Sequence, residues 1–243
     1  MEVYLNRIDG IDDAIISMFL SKRTLTRELE TEIRQEVLRC SSMTYENGPL
    51  GALDEPSEKL EDWLNKLFKW GTRHITMLRF IDLSFSVYGL HRGGQDDLDS
   101  HAMRMNNRII RSSTRLADFS RGETSVFYAD RIVPTDVALA YLGIDTPDEI
   151  EYEGRTFVRA TNGYILKGME DNKDVKRGLY MLSIPSNFIF RSQLTEFAHI
   201  FKERNSDGGA NPEVKEAVED MAKQVNVATR GFVDRDLLFA IKN

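Results

Sequence analysis

The sequence predicts a single α/β (α+β) domain spanning residues 1–243, with a mixed sheet flanked by helices. Three observations carry that prediction. Segments with apolar residues at i, i+3 or i+4 alternate with segments whose apolar residues recur at every second position. Several of the helical segments open on a capping residue or close on a glycine. No internal repeat, low-complexity tract or linker divides the 243 residues, a length that can bury one sizeable core.

Met1–Arg7 alternates at Val3 and Leu5 and reads as an edge strand, turned at Asp9-Gly10; Asp12–Leu20 reads as a short helix. A stronger helix runs from Thr26, its N-cap, through Cys40, with Leu29, Ile33 and Val37 on one face and acids in its first turn. Ser41–Pro56 holds Asn47-Gly48-Pro49 and reads as a loop. Ser57 caps the next helix, faced by Leu60, Leu64, Leu67 and Phe68 and stopped at Gly71. The period then changes, and Phe80, Leu83, Phe85 and Val87 read as a half-buried strand. Gly89–Ser100 is rich in Gly and Asp and reads as a loop; its acids Asp96, Asp97 and Asp99, with His91 and His101 nearby, read as solvated.

His101–Phe119 reads as an amphipathic helix. Arg104, Arg108, Arg111 and Arg115 recur at i, i+4, i+7 and i+11, one narrow stripe, with Ala102, Met105, Ile109 and Leu116 opposite. No acid occurs from His101 to Ala117. Such a column is either a solvated basic face or a phosphate site, because each guanidinium offers a planar fork to an oxyanion. Val126–Val133 is a weak strand, and Thr135 caps a short helix to Leu142. Ile150–Tyr152, Thr156–Arg159 and Tyr164–Leu166 are strands joined at Glu153-Gly154 and Asn162-Gly163, a hairpin insertion over 150–167. Leu179–Ile184 reads as a strand, Phe190–Arg204 as a helix, and Pro212 as the first residue of a helix to Val225.

Composition narrows the function classes. A net charge of −7 argues against broad nucleic-acid or membrane-surface binding, which needs a positive face, and it makes the local arginine stripe more informative. One cysteine, Cys40, excludes an intrachain disulfide and a zinc–thiolate cluster. The histidines form no HExxH-type pair, so no metal site is expected. With no apolar run of membrane-spanning length and no signal-like N-terminus, the expectation is a cytoplasmic protein.

The order of certain motifs resembles the flavin-dependent thymidylate synthases, which carry GHxSxxEHxxFxFxI, then a helix with RHRxxSxNExSxRY, then Ala-Arg, N-x-R-S-L and A-Q-x-E-I. In the stretch 71–87, GTRHITMLRFIDLSFSV, His74, Thr76, Leu78, Leu83, Phe85 and Val87 agree with the first motif. Ser113 and Arg115 take its Ser-x-Arg, Lys176-Arg177 its Ala-Arg, and Ala210 and Glu213 its A-Q-x-E-I. The resemblance covers roughly 57–120 and 176–220. It departs at Met103-Arg104-Met105, which replaces Arg-His-Arg, at Arg111, which replaces an acid, at Arg79-Phe80, which replaces Glu-His, and at Thr195, which replaces the Arg of N-x-R-S-L.

The resemblance implies a homotetramer that reductively methylates dUMP, or a related pyrimidine nucleotide, using methylenetetrahydrofolate, FAD and NADPH. It implies that Ser113, Arg115 and Arg177 bind the nucleotide, while His74, Thr76 and His199 lie on the flavin. Arg104 and Arg108, on the same stripe as Arg115, can replace the positive charge lost with Arg-His-Arg. An alternative reading is a non-catalytic nucleotide-binding or assembly protein on the same fold. A groove-binding arginine helix is a third reading, which the acidic balance and the lack of a helix-turn-helix pattern disfavour.

Overall fold

The computed structural model describes residues 1–99, 108–111, 126–129, 135–160, 162–172, 179–180, 182–205 and 211–241. Its central sheet has four strands in the order β1 (Glu2–Asp9), β2 (Asp82–His91), β7 (Pro185–Gln193), β3 (Arg108–Arg111). Every ladder in it is antiparallel, where a mixed sheet was expected. A separate antiparallel meander of β4 (Glu149–Tyr152), β5 (Arg155–Ala160) and β6 (Gly163–Leu166) supplies the expected hairpin strands.

Period-2 alternation sends Val3, Leu5, Leu83, Phe85, Val87, Phe188 and Phe190 to one face of the central sheet, where all are buried. The rings of Phe85, Phe190 and Phe197 pack together at centroid separations near 6 Å (6.2 and 5.7 Å from Phe85). Helices cover this face: α1 (Ile11–Ser21), α2 (Arg27–Arg39), α3 (Glu58–Gly71), α7 (Leu194–Asn205) and α8 (Pro212–Ala228) contribute to one buried cluster. The remaining helices are α4 (Arg92–Asp99), a turn α5 (Val126–Ala129), α6 (Thr135–Tyr141) and α9 (Arg235–Ala240). The opposite sheet face leaves Tyr4, Tyr88 and Ile189 about half exposed.

The caps form as the sequence indicates. Thr26 Oγ1 accepts the Leu29 N–H, Ser57 Oγ accepts the Leu60 N–H, and Pro212 opens α8 behind Asn211. The outer edge of β1 is closed without another strand. The Gln224 amide accepts the Leu5 N–H and donates to the Val3 carbonyl, both at 2.7 Å, and Leu50 exchanges backbone bonds with Ile8 and Asn6.

Four local expectations are overturned. Arg108–Arg111 is a strand paired with β7 and not part of a helix, so Arg108 and Arg111 do not belong to a helical column. The segment has β-branched Ile109 and Ile110 at its centre, which suits a pleated strand once β7 is beside it. The expected loop from Gly89 is, through Asp99, the end of β2 followed by α4. Val126–Ala129 is helical where a strand was expected. β7 occupies Pro185–Gln193, so the expected strand at 179–184 is displaced and the helix starts at Leu194 instead of Phe190.

Candidate functional site

The two ends of the central sheet carry different chemistry. At the first end β1 finishes at Asp9, β2 starts at Asp82, β7 finishes at Gln193 and β3 starts at Arg108. Arg191 pairs with Asp82 at 3.0 Å and with Asp9 at 3.4 Å there, and its backbone is in register with Arg108. The loop between α3 and β2 lies at this end, tied to α7 by the Leu194 N–H on the Ile81 carbonyl (2.8 Å).

That loop carries two of the flavin candidates. His74 and Thr76 are both exposed, as are Arg73 and Arg79, and the His74 ring lies 6.0 Å from that of Trp70. Trp70 and Phe80 are themselves 42% and 53% exposed, with the Lys22 ammonium 3.9 Å over the Trp70 ring. On α7, His199 is half-buried and acts on Glu196, whose carboxyl burial pushes above the usual carboxylate range and His199 pulls partly back. Thus His74, Thr76 and the backbone of Arg108 lie at one end, while His199 sits in the second turn of α7. Arg104, Ser113, Arg115 and Arg177 lie outside the described residues.

The second end holds a buried polar cluster built on His91, which the sequence placed among solvated loop acids. His91 ends β2 with only 4% of its surface exposed, and Glu213, in the first turn of α8, is fully buried. Glu213 Oε2 bonds His91 Nδ1 and also accepts the His91 backbone N–H at 3.2 Å. On the other side of the ring, Nε2 lies 3.1 Å from Asn211 Nδ2 and 3.4 Å from Tyr128 Oη. Asn211 Nδ2 also donates to Tyr128 Oη at 2.9 Å, while Asn211 Oδ1 accepts the Glu213 N–H at 3.0 Å.

This helix cap fixes the tautomer. With Oδ1 occupied as the N-cap acceptor, Asn211 presents only N–H donors to the imidazole, so Nε2 offers a lone pair and the proton sits on Nδ1, donated to Glu213. The macrodipole of the 17-residue helix α8 favours a carboxylate in its first turn. Gly93 and Gly94 explain how the ring fits: a Cβ on Gly94 would stand 2.5 Å from His91 Cε1 and 2.8 Å from Val214 Cγ2. Tyr128 packs edge-on to the imidazole at 4.8 Å. Nearby Gln95 is fully buried and accepts the Ser186 hydroxyl at 2.7 Å.

His91 was visible in the sequence, but its partner lies 122 residues away. The signals that point to the pair are the Gly-Gly two residues after His91 and the Glu in Ala210-Asn211-Pro212-Glu213.

A helix-covered antiparallel sheet with these elements in this order defines the flavin-dependent thymidylate synthase fold. In particular, the chain is similar to thymidylate synthase X from Helicobacter pylori, crystallised with FAD and dUMP, with a TM-score of 0.57 and 12% identity over 98% of this chain and 100% of that one. It is also similar to the UMP/dUMP methylase PolB from Streptomyces cacaoi, bound with 5-Br dUMP, with a TM-score of 0.54 and 12% identity over 99% of this chain and 95% of that one. No family profile and no curated protein matches the sequence itself. No helix among the described residues is long and apolar enough to cross a membrane.

Proposed function

We propose that the protein is a flavin-dependent enzyme of the thymidylate synthase type, methylating dUMP or a related pyrimidine nucleotide. The observation that carries this is the match of the whole chain, end to end, to structures whose ligands are dUMP or its 5-bromo analogue. Methylenetetrahydrofolate is the proposed one-carbon donor and NADPH the reductant.

The residues of the first sheet end fit FAD. A dinucleotide offers a pyrophosphate and two planar ring systems. Arg73 and Arg79 are exposed cations, His74 and Thr76 are exposed polar side chains, and Phe80 is a half-exposed ring on the same stretch. His74, Thr76 and His199 are the proposed cofactor residues, with Arg104 and Arg108 as proposed further positive charge. When bound, the flavin supplies the redox and one-carbon relay chemistry. The protein's own task is to bind, orient and shield the reactants.

The nucleotide site would lie towards the opposite end. The chain leaves β3 at Arg111, paired with Phe188 three residues from the start of β7, and Ser113 and Arg115 follow. β7 spans nine residues, which separates the two ends by roughly 25 Å at ~3.3 Å per residue. A second copy of the chain is proposed to complete each site.

The test uses purified protein. A yellow preparation with a flavin absorption band is expected, and saturating dUMP should raise the melting temperature by several degrees, because a ligand at 100 times its Kd adds about 2.7 kcal/mol. A colourless protein that takes up no added FAD and ignores dUMP would overturn the proposal. The second reading, a nucleotide binder without catalysis, is favoured by Thr195, a buried short side chain where the resembled family carries an arginine. Colourless protein that still binds dUMP would select it.

A further inference from the structure

The geometry at the second sheet end points to an acid–base relay: we propose that the Tyr128 phenol takes a proton from the bound pyrimidine nucleotide and passes its own to His91 Nε2, with Glu213 holding the imidazolium. The identity of the proton's source rests on the function proposed above; the relay itself rests on this chain's residues.

Four observations support it. The connected groups are an acid, an imidazole and a hydroxyl: the carboxylate orients the histidine, and the unprotonated Nε2 is shared between the Asn211 amide at 3.1 Å and the phenol at 3.4 Å, so the phenol's proton reaches Nε2 as the amide N–H gives way. The tautomer is the required one, because the Asn211 cap leaves Nε2 with a lone pair. Exposure rises along the chain of groups, from buried Glu213 and His91 to half-buried Tyr128 and Asn211, so the relay runs from the interior to an accessible end. It also stands where β2 ends and β7 begins, at the end of the sheet where β3 finishes at Arg111. A buried acid–histidine pair is costly to desolvate, and packing alone would be served as well by apolar side chains.

The chemistry balances. Joining a one-carbon unit to a pyrimidine ring carbon displaces the hydrogen already there as a proton. The C–H bond breaks and its electron pair returns to the ring. The proton goes to the Tyr128 oxygen as that oxygen's own proton forms the Nε2–H bond, and the imidazolium is held by the Glu213 carboxylate. No electrons pass through the relay, and the reverse transfer to water through Tyr128 resets it. Tyr128 is the catalytic residue in this scheme. His91 accepts the relayed proton, and Glu213 is a positioning residue.

Two measurements on the full chain test this. Nitrogen NMR of the four histidines should show one neutral imidazole protonated at Nδ1, absent in His91→Gln and shifted at Nε2 in Tyr128→Phe. A doubly protonated His91 at neutral pH, or one indifferent to Tyr128→Phe, overturns the relay whether or not any nucleotide binds. Release of deuterium from 5-deuterated dUMP, with the folate and reductant present, should fall by about 100-fold or more in both variants. The shift of melting temperature with dUMP should persist in His91→Gln. Wild-type release rates in Tyr128→Phe overturn the proposal. A wild-type protein that binds no dUMP overturns the nucleotide as proton source, and the NMR result then decides the relay separately.

Discussion

Glu196 sits in the first full turn of α7 with 1% of its surface exposed, and neither carboxylate oxygen has a hydrogen-bond partner among the described residues. Burial raises its proton affinity, so the folded state binds that proton more tightly than the unfolded chain does. Its favourable contribution is therefore complete below the ordinary carboxylate range and is lost as the pH rises through the raised value. Glu196→Gln should stabilise the protein at mildly alkaline pH by about 1 kcal/mol, or ~2–4 °C in melting temperature, with the gap closing at acid pH. Paired thermal melts at the two pH values check this, and a variant equally destabilised at both refutes it. Glu196 and His91 share a lesson at this scale. Polar side chains beside Gly, Asp or Ser are indistinguishable from solvated ones in a sequence, since their burial is imposed by strands and helices a hundred or more residues away.

Among the elements, those with a helical period and a local cap were legible. α2, α3 and α8 begin at the caps that the sequence marks, because the hydrogen bonds that start them lie within three residues. Ser57 serves twice there, accepting the Leu60 N–H and donating to Glu36, whose carboxyl is held below the usual range by Arg39 and then by Ser57. Ser57→Ala should cost about 1–2 kcal/mol in chemical denaturation, reflecting a lost cap and a weakened partner. A loss below the measurement error would mean that the cap contributes nothing. The strands β3 and β7 were misread for one reason. Arg108–Arg111 fits either period over so few residues, and Phe188, Phe190 and Leu194 run into the apolar face of α7 without a breaker, so only pairing with β2 separates strand from helix. Likewise α4 follows directly from β2, because its glycines pack on the His91 ring instead of breaking the chain.

Over the whole molecule, the fold was more legible than the site. Motif order led to the right fold, since order survives while individual side chains change. The site was less legible: His74 and Thr76 fall on the exposed loop before β2 and His199 on α7, while Ser113, Arg115 and Arg177 stand outside the described residues. The distance between the two sheet ends makes a prediction about assembly. Light scattering of the flavin-loaded protein should give a homo-oligomer, a tetramer by resemblance, and dilution to monomer should release flavin. A monomer that keeps both flavin and dUMP would show that one chain suffices.

The amide of Gln224 closing the edge of β1 has a consequence for how the chain is made. The strand's first residues leave the ribosome 219 residues before the side chain that seals them. At 5–20 residues per second, β1 waits roughly 10–45 s with its outer backbone groups open to any passing strand. Early truncation, or a stall before α8, would release a nascent chain whose first strand is sticky, so α8 acts as the lock that ends that exposure.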